Sequence, residues 1–413
     1  MPSTTSRTVK IAAAVSAALA SLALAGPAVA SQAAARPASH GAFARSGLKK
    51  FQVRQILNGM TLTHSYRPAG SSVRKTEPLT GPDDITALGR HLFTGFQNGV
   101  GSQGEPSTDG NTDSTVVEFT RSGHVIRQWD IKGKCDGLTA DPRAGVLIAT
   151  VNEDANSSVY TISPGAPLGR QIRHYHYNKP LPHFGGTDAI SIYHGQVLIS
   201  ASAPGTTGKP APQPTYPAVY RVFFHPFTRI AVISPLFGDE ASARVANVGP
   251  SFGTNVTLAL TDPDSNEVVP YSAFRFGGDF MLTSQGDKEQ IFLAGNGRHG
   301  HHGTRLRVLS LSNSVDDTAW ARSPRGMLFG SDASADTVDV VTGRFPVGVA
   351  FTAVTPCDAN NAPATCPAPG FPPNYLGVIN PWTGSLYPVP LTGPVFQPKG
   401  LIFVSPGWRV SAG

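Results

Sequence analysis

Aspartates recur at the start of short apolar segments, and they are the side chains of this sequence best placed to do chemistry. Each segment is followed by a turn and a second apolar run, such as HLFTGF, VLIATV or QVLISAS. The repeated residues are Asp84, Asp136, Asp188, Asp279 and Asp317. Converging carboxylates repel one another, and a hard cation such as Ca²⁺ relieves that repulsion through oxygen ligation. The pattern thus suggests a calcium site to which several repeats contribute.

The same five aspartates also have a structural interpretation. A carboxylate at a turn can accept hydrogen bonds from backbone N–H groups of its own repeat. A structural device recurs in every repeat, whereas a catalytic site does not. Repetition therefore favours the structural role, and the metal site stays open as the alternative.

Two further segments have the alternating oxygen ligands of a calcium loop. They are Asp109, Asn111 and Asp113, and Asp262, Asp264 and Asn266. Neither has the glycine and the glutamate that an EF-hand carries at its sixth and twelfth positions. Polar turn chemistry is the favoured interpretation, and peripheral calcium sites are the alternative.

Histidines offer a base but no recognisable metal set. His183 lies just before Asp188, and a histidine beside a carboxylate can act as a general base. Packing at a turn is the favoured role for it. His299, His301 and His302 fall in the Gly-rich stretch GNGRHGHHGTR, which preorganises no ligands. The sequence has no G-x-S-x-G elbow, H-E-x-x-H motif, P-loop or dinucleotide fingerprint.

The elements that must position these residues are short strands in a repeat. The first three repeats start at residues 84, 136 and 188, which are 52 residues apart. Each complete unit continues with two more apolar strands, and no amphipathic helix pattern appears. Four antiparallel strands per unit predict an all-β fold, a β-propeller whose inner strands line a channel. Stacking the sheets in a ring buries both faces of each.

The spacing predicts six or seven four-stranded blades, with seven slightly favoured. Few residues follow the last repeat start at Lys399, too few for another blade. We therefore expect the ring to close with N-terminal strands, around FQVRQIL and MTLTHSY.

Two units carry a family resemblance. GPDDITALGRHLFTGF and CDGLTADPRAGVLIATVNEDANSSVYTI resemble the blades of NHL-repeat and SMP-30/gluconolactonase-like propellers of secreted bacterial proteins. The resemblance covers roughly residues 80 to 406 at the level of the blade. It implies a propeller and, in catalytic members, a divalent cation held in the channel by glutamate, asparagine and aspartate. Acids stand at the matching repeat position here, without a matching glutamate or asparagine.

The N-terminus predicts export. Arg7 and Lys10 precede the apolar run 11–25, and Ala28-Val29-Ala30 supplies a cleavage pattern, so residues 1–30 are interpreted as a cleaved secretory signal. Residues 31–50 form a basic leader, and 51–413 a single propeller domain. The 413-residue chain has a formal charge of +6, but its first 75 residues hold ten basic and no acidic residues. The mildly acidic remainder disfavours nucleic acid as a partner.

Cysteine usage agrees with an oxidising compartment. Cys357 and Cys366 lie in a Pro- and Ala-rich stretch, and a disulfide there would close a loop insert at 355–375. Cys135 is left over and is interpreted as a buried, inert thiol.

Two functions follow as hypotheses. The first is a secreted, monomeric, non-catalytic scaffold that binds an extracellular protein, peptide, glycan or small molecule, with no transmembrane segment after signal cleavage. The alternative is a calcium-dependent hydrolase or lyase of a small lactone, ester or sugar acid, with the repeated aspartates around the cation and His183 as base.

Overall fold

The computed structural model of the chain describes residues 50–181, 185–202, 216–294, 306–357 and 372–407. In chain order the strands are β1 (Phe51–Asn58), β2 (Thr63–Tyr66), β3 (Lys75–Pro78), β4 (Pro82–Leu88), β5 (His91–Phe96), β6 (Asp113–Phe119), β7 (Val125–Lys132), β8 (Cys135–Asp141), β9 (Val146–Val151), β10 (Ser158–Ile162), β11 (Ile172–Tyr177), β12 (Ile190–Tyr193), β13 (Gln196–Ser200), β14 (Pro217–Phe224), β15 (Ile230–Gly238), β16 (Ser242–Val245), β17 (Asn255–Thr257), β18 (Pro263–Val268), β19 (Phe280–Ser284), β20 (Glu289–Leu293), β21 (Leu306–Ser310), β22 (Val315–Trp320), β23 (Met327–Asp332), β24 (Thr337–Thr342), β25 (Ala350–Val354), β26 (Tyr375–Ile379), β27 (Leu386–Pro388), β28 (Leu391–Thr392) and β29 (Leu401–Val404). A single 3-10 turn, Gly59–Thr61, is the one helical element in these ranges.

The strands form antiparallel blades of four. From the inside outward, the first three blades are β4 to β7, β8 to β11 and β12 to β15. The fourth is β18 to β21, with the hairpin β16–β17 added at its outer edge. The fifth is β22, β25, β26 and β27, and the sixth is β29, β23, β24 and β1. Six blades are thus seen in the described ranges, whereas the sequence spacing slightly favoured seven.

The inner strands close a ring. β4, β8, β12, β18, β22 and β29 contact one another in that order, and β29 returns to β4. The all-β propeller is confirmed by this topology. The strands are short and both faces of each blade are apolar, so each sheet is stable only between its neighbours.

Both ends of the domain meet in the sixth blade. The N-terminal β1 is paired along β24, from Gln52 with Thr342 to Asn58 with Thr337, while the C-terminal β29 is the innermost strand. Closure by the segment FQVRQIL is therefore confirmed. The second expected segment, MTLTHSY, does not join a blade, because β2 pairs with β3 in a separate hairpin.

The fifth and sixth blades exchange strands along the chain. After β22 the chain crosses to the sixth blade for the hairpin β23–β24, and it returns to the fifth for β25 to β27. Four aromatic rings pack together at this junction. Phe345 lies 4.8 Å from Phe51, 5.4 Å from Phe351 and 5.1 Å from Phe403, measured between ring centroids. All four side chains are buried, so this cluster holds the closing blade in place.

The described residues belong to one compact unit, residues 40–413. Within the ranges given above, no helix is long and apolar enough to cross a membrane. Residues 1–49, with the expected signal and nearly all of the leader, lie outside the described residues, as does most of the insert expected at 355–375. Export and the disulfide therefore stay predictions.

Candidate functional site at one mouth of the channel

Every inner strand carries a bulge near its start. The register with the second strand shifts between Pro82 and Ile85 in β4, and at the matching place in β8, β18 and β22. Ahead of β12, the backbone of Ser200 opposes two residues. Its carbonyl oxygen accepts from the Asp188 N–H, and its own N–H donates to the Ala189 carbonyl. Ser331 does the same opposite Lys399 and Gly400 ahead of β29. A β-bulge changes the direction in which a side chain points, and bulges are common at the rims of such folds.

The first residue of the bulge is charged in all six blades. In ring order these residues are Asp83, Asp136, Asp188, Asp264, Asp316 and Lys399. We call this set the charged ring. Because the inner strands all start at the same end, the ring lies at one mouth of the channel.

Hydroxyl side chains lock neighbouring bulges to one another. Thr150, Ser200 and Ser265 donate to the carbonyl oxygens of Asp188, Asp264 and Asp316, at 2.6, 2.7 and 2.7 Å. Small bulge residues allow this close approach: a Cβ on Gly137 would overlap the Asp188 carbonyl, and one on Gly400 would lie 2.6 Å from that of Asp83. The ring residues are therefore held by backbone that is rigidly cross-linked between blades.

The structure separates the five aspartates that the sequence grouped together. Asp136 and Asp188 lie in the ring as expected. Asp84 and Asp317 each lie one residue after the ring position of their strand. Asp84 accepts from the Leu138 N–H at 2.8 Å, and Asp317 accepts from the Leu401 N–H at 2.7 Å. Each thus ties its inner strand to the next blade, which is the structural role.

Asp279 was placed in the ring by sequence reasoning, and that placement is wrong. It precedes β19, which is the second strand of its blade rather than the inner one, and its carboxylate pairs with Arg307. The ring position of the fourth blade is held by Asp264. The error arose because the inner strand of this blade, PDSNEV, is polar, so the apolar strand that follows Asp279 was taken for it.

The two segments expected as calcium loops have different structures. Asp262, Asp264 and Asn266 do not form a peripheral loop, because they enter the inner strand β18, and Asn266 donates to the Ala189 carbonyl at 2.6 Å. Asp109, Asn111 and Asp113 form a turn in which Asn111 accepts from the Asp113 N–H and donates to its carbonyl, both at 2.9 Å. That arrangement matches polar turn chemistry.

One half of the charged ring carries ammonium groups. Lys399 Nζ contacts Asp83 at 2.8 Å. The amide of Gln97 donates to Asp83 and, at 3.0 Å, to Asp136. Lys399 keeps 32% of its side chain exposed, whereas Asp83 and Asp136 are almost fully buried. Solvent therefore reaches the buried acids at Lys399.

A second lysine, Lys134, lies between two acids. Its Nζ is 2.9 Å from Asp136 and also pairs with Glu153. Burial opposes the charge of this lysine, but the two carboxylates outweigh burial and raise its pKa. One ammonium cannot neutralise both acids, so burial and the charge of Glu153 raise the pKa of Asp136. The second oxygen of Asp136, Oδ2, is buried without a hydrogen-bond partner.

The other half of the ring has no lysine and holds protons instead. Burial, together with the charge of Asp262, raises the pKa of Asp264 to about 8. A hydrogen bond joins the side chains of Asp188 and Asp264. Burial and the neighbouring Asp264 raise the pKa of both Asp188 and Asp316 well above the ordinary value. Asp264 is therefore largely protonated near neutral pH, and burial raises the proton affinity of Asp188 and Asp316 in the same direction.

The charged ring does not provide the ligand set of a calcium site. A calcium ion takes about six to eight oxygen ligands at about 2.3 to 2.6 Å. In the part of the chain that the structure describes, no three histidine, cysteine, aspartate or glutamate side chains are arranged to hold a metal ion. Lys399 and Lys134 supply positive charge at the ring. The ring as arranged does not fit Ca²⁺.

Three other sequence expectations concern residues near the ring or outside it. His183, the histidine triplet at 299–302 and Cys366 lie outside the described residues. Cys135 is buried, and burial raises the pKa of its thiol well above the ordinary value, in agreement with an inert thiol. Sequence reasoning missed Asp83, Asp316 and Lys134, and it identified Lys399 only as a repeat start.

No family model matches the chain, and no curated protein sequence is similar to it. Similar solved structures include the periplasmic gluconolactonase of Pseudomonas aeruginosa, 15% identical, which covers 86% of this chain and 99% of that one with a TM-score of 0.40. A candidate 6-phosphogluconolactonase of Bacteroides uniformis is 12% identical, with 83% and 98% covered and a TM-score of 0.40. The WD40 propeller domain of Doa1 is 11% identical, with 77% and 84% covered and a TM-score of 0.35. The resemblance is one of blades and fold, and it carries no argument about activity.

Proposed function

We propose that the protein hydrolyses a small lactone or ester of a sugar acid, with the charged ring as its active centre. The observation that carries the proposal is that one ring holds two carboxylates paired with ammonium groups, Asp83 and Asp136, and on its other side Asp264, whose pKa is raised to about 8. A carboxylate beside a cation and a carboxyl group that keeps its proton are suited to base and acid roles in one site. The proposal keeps the substrate class of the hydrolase hypothesis and does without its calcium ion.

The residues of the ring have complementary roles in this reaction. Asp136 has a buried oxygen without a hydrogen-bond partner and lies 2.9 Å from the ammonium of Lys134, which favours its ionised form, so it can accept the proton of an attacking water. The ammonium of Lys399 can donate to the oxygen that becomes negative as the ester carbonyl is attacked. Asp264, a carboxylic acid near neutral pH, can return a proton to the leaving alkoxide.

The substrate class follows from the same groups. Carboxylates accept hydrogen bonds from sugar hydroxyls, and ammonium groups bind a carboxylate or a carbonyl oxygen. A small polyhydroxyl acid derivative offers both. Lactones of aldonic acids combine hydroxyl groups, a carbonyl oxygen and a hydrolysable ester bond, so they are the first substrates to test.

The test measures acid release from a panel of aldonic acid lactones and simple esters. We expect Asp136→Asn and Asp264→Asn each to lower kcat/KM by about 100-fold or more, the range for loss of a general acid or base. Asp109→Asn, an exposed aspartate outside the ring, is the matched control and should leave the rate unchanged. A melting curve of each variant separates lost chemistry from lost folding.

Two outcomes would overturn the proposal. Turnover that survives both ring substitutions would remove the ring from the chemistry. Binding of sugar acids without hydrolysis would favour the non-catalytic scaffold instead. A parallel series with chelator and added Ca²⁺ tests the calcium-dependent version, which predicts activity that is lost with chelator and restored by the ion.

A further inference from the structure

The mouth opposite the charged ring is formed by one set of turns. All inner strands start at the ring, so the segments that follow them lie at the other end of the channel. These segments are 89–90, 142–145, 194–195, 269–279, 321–326 and 405–407. We call this set the distal turns.

The distal turns are rich in arginine. Arg90, Arg143, Arg322 and Arg325 are exposed, and Arg275 is half-buried. The distal turns contain one acid, Asp279, and it pairs with Arg307. The mouth formed by the distal turns is therefore basic.

Exposed aromatic side chains stand among these arginines. Tyr271 is 85% exposed and Phe274 is about half exposed, and both lie in the fourth distal turn beside Arg275. Phe274 packs near Trp382 at 6.5 Å, and Val347 in the segment before β25 is also exposed. Large apolar groups exposed beside basic ones mark an interaction surface.

We propose that the distal turns bind the surface of an anionic lipid bilayer and hold the charged ring away from it. Arginines complement anionic headgroups, and tyrosine and phenylalanine occupy the interface between headgroups and acyl chains. A bare polyanion such as nucleic acid would use the arginines but has no apolar layer for Tyr271. Because the distal turns and the charged ring lie at opposite ends of the channel, contact through the arginines fixes the orientation.

The experiment measures co-sedimentation of the protein with phosphatidylcholine vesicles that contain or lack phosphatidylglycerol, at low and high salt. The test variant combines Arg90→Gln, Arg143→Gln and Arg325→Gln. The matched control combines Arg67→Gln, Arg74→Gln and Lys75→Gln, three exposed residues of the β2–β3 hairpin. That hairpin contacts the β5–β6 loop at the ring end through Gly110. Both variants lose the same charge and keep the basic N-terminal leader.

We expect wild type to bind only the anionic vesicles, and more weakly at high salt. Each basic residue near such a surface changes partitioning about fivefold, so the distal variant should bind about 100-fold more weakly and the hairpin control much less so. Tyr271→Ser should weaken binding by about tenfold through lost apolar burial. Melting curves of all variants verify that they are folded.

Three outcomes would overturn the proposal. Wild type could fail to bind anionic vesicles at low salt. The distal and hairpin variants could lose binding equally, which would assign the effect to net charge or to the leader. Heparin could bind as well as the vesicles, with no effect of Tyr271→Ser, which would identify the partner as a soluble polyanion.

Discussion

Replacing Asp264 by asparagine should flatten the dependence of stability on pH. Burial and the charge of Asp262 raise the pKa of Asp264 from 3.8 to about 8 in the folded protein. The folded state thus holds this proton more tightly than the unfolded chain does. The stabilisation is complete below about pH 4 and is lost as the pH rises through about 8. Asparagine keeps the shape of the side chain and cannot ionise.

The size of the effect follows from proton linkage. A difference of one bound proton changes the free energy of unfolding by about 1.4 kcal/mol for each pH unit. Between pH 5 and 7, Asp264 alone therefore removes about 3 kcal/mol, against a total stability of about 5 to 15 kcal/mol for a typical domain. The raised pKa values of Asp188 and Asp316 act in the same direction. Wild type should be clearly more stable at pH 5 than at pH 8.

The assay is urea unfolding at several pH values between 5 and 8, for wild type, Asp264→Asn and the exposed control Asp109→Asn. We expect the slope of stability against pH to fall by about one proton in Asp264→Asn and to stay unchanged in the control. Wild-type stability that is flat or rises over this range would refute a ring of buried protonated acids. An unaltered slope in Asp264→Asn would place the titrating groups elsewhere.

Two further predictions test the frame around the ring. Deleting residues 51–58 should remove the closing strand and the burial of Phe51, Val53 and Leu57. The free energy of unfolding should fall by about 5 kcal/mol or more. A truncated protein with an unchanged melting temperature would contradict closure by β1. Gly137→Ala should destabilise the protein by about 1 to 3 kcal/mol, because the added Cβ overlaps the backbone of the neighbouring blade. Gly165→Ala is the matched control, since its Cβ would meet nothing within 4 Å and its φ is not positive. Equal losses in urea unfolding would mean that the blades do not touch at Gly137.

The architecture was predictable because a blade is a local unit. Four short apolar strands with turns between them show directly in the sequence, and the even spacing from residue 84 to 188 reports consecutive complete blades. Closure by FQVRQIL followed from counting, since too little chain remains after Lys399 to complete the last sheet. These inferences depend on neighbouring residues and on chain length, which the sequence displays.

The exchange of strands between the fifth and sixth blades was not predictable in this way. β23 and β24 look like the second and third strands of any blade. They leave the blade of β22 because they are paired by β29 and β1, which lie far away in the sequence. Only the interval from Asp316 to Lys399 is long because of this crossing, since it contains β23 to β28. Pairing between distant strands leaves no local pattern that would identify it.

The register of the ring was missed by one residue in two blades for a similar reason. Asp83 and Asp316 are each followed by a second aspartate, and only the bulge decides which of the two faces the channel. Counting back two positions from the first apolar residue of β4, β8 and β12 gives Asp83, Asp136 and Asp188. The same count from Leu401 gives Lys399, but it gives Asp317 from Ala319 and Asn266 from Val268, so it would still have missed the ring residues of the fourth and fifth blades.

The lysine at the sixth position changes what the ring can do. Six aspartates converging on one axis would require an external cation or several protons. Lys399 and Lys134 form ion pairs with Asp83 and Asp136, and on the other side Asp264 holds a proton near neutral pH. The compensation is therefore unequal around the axis, so a ligand entering this mouth meets hydrogen-bond donors of two kinds on opposite sides. A symmetric metal-binding ring would present a bound substrate with no such difference, whereas this one can orient a polar molecule between a base and an acid.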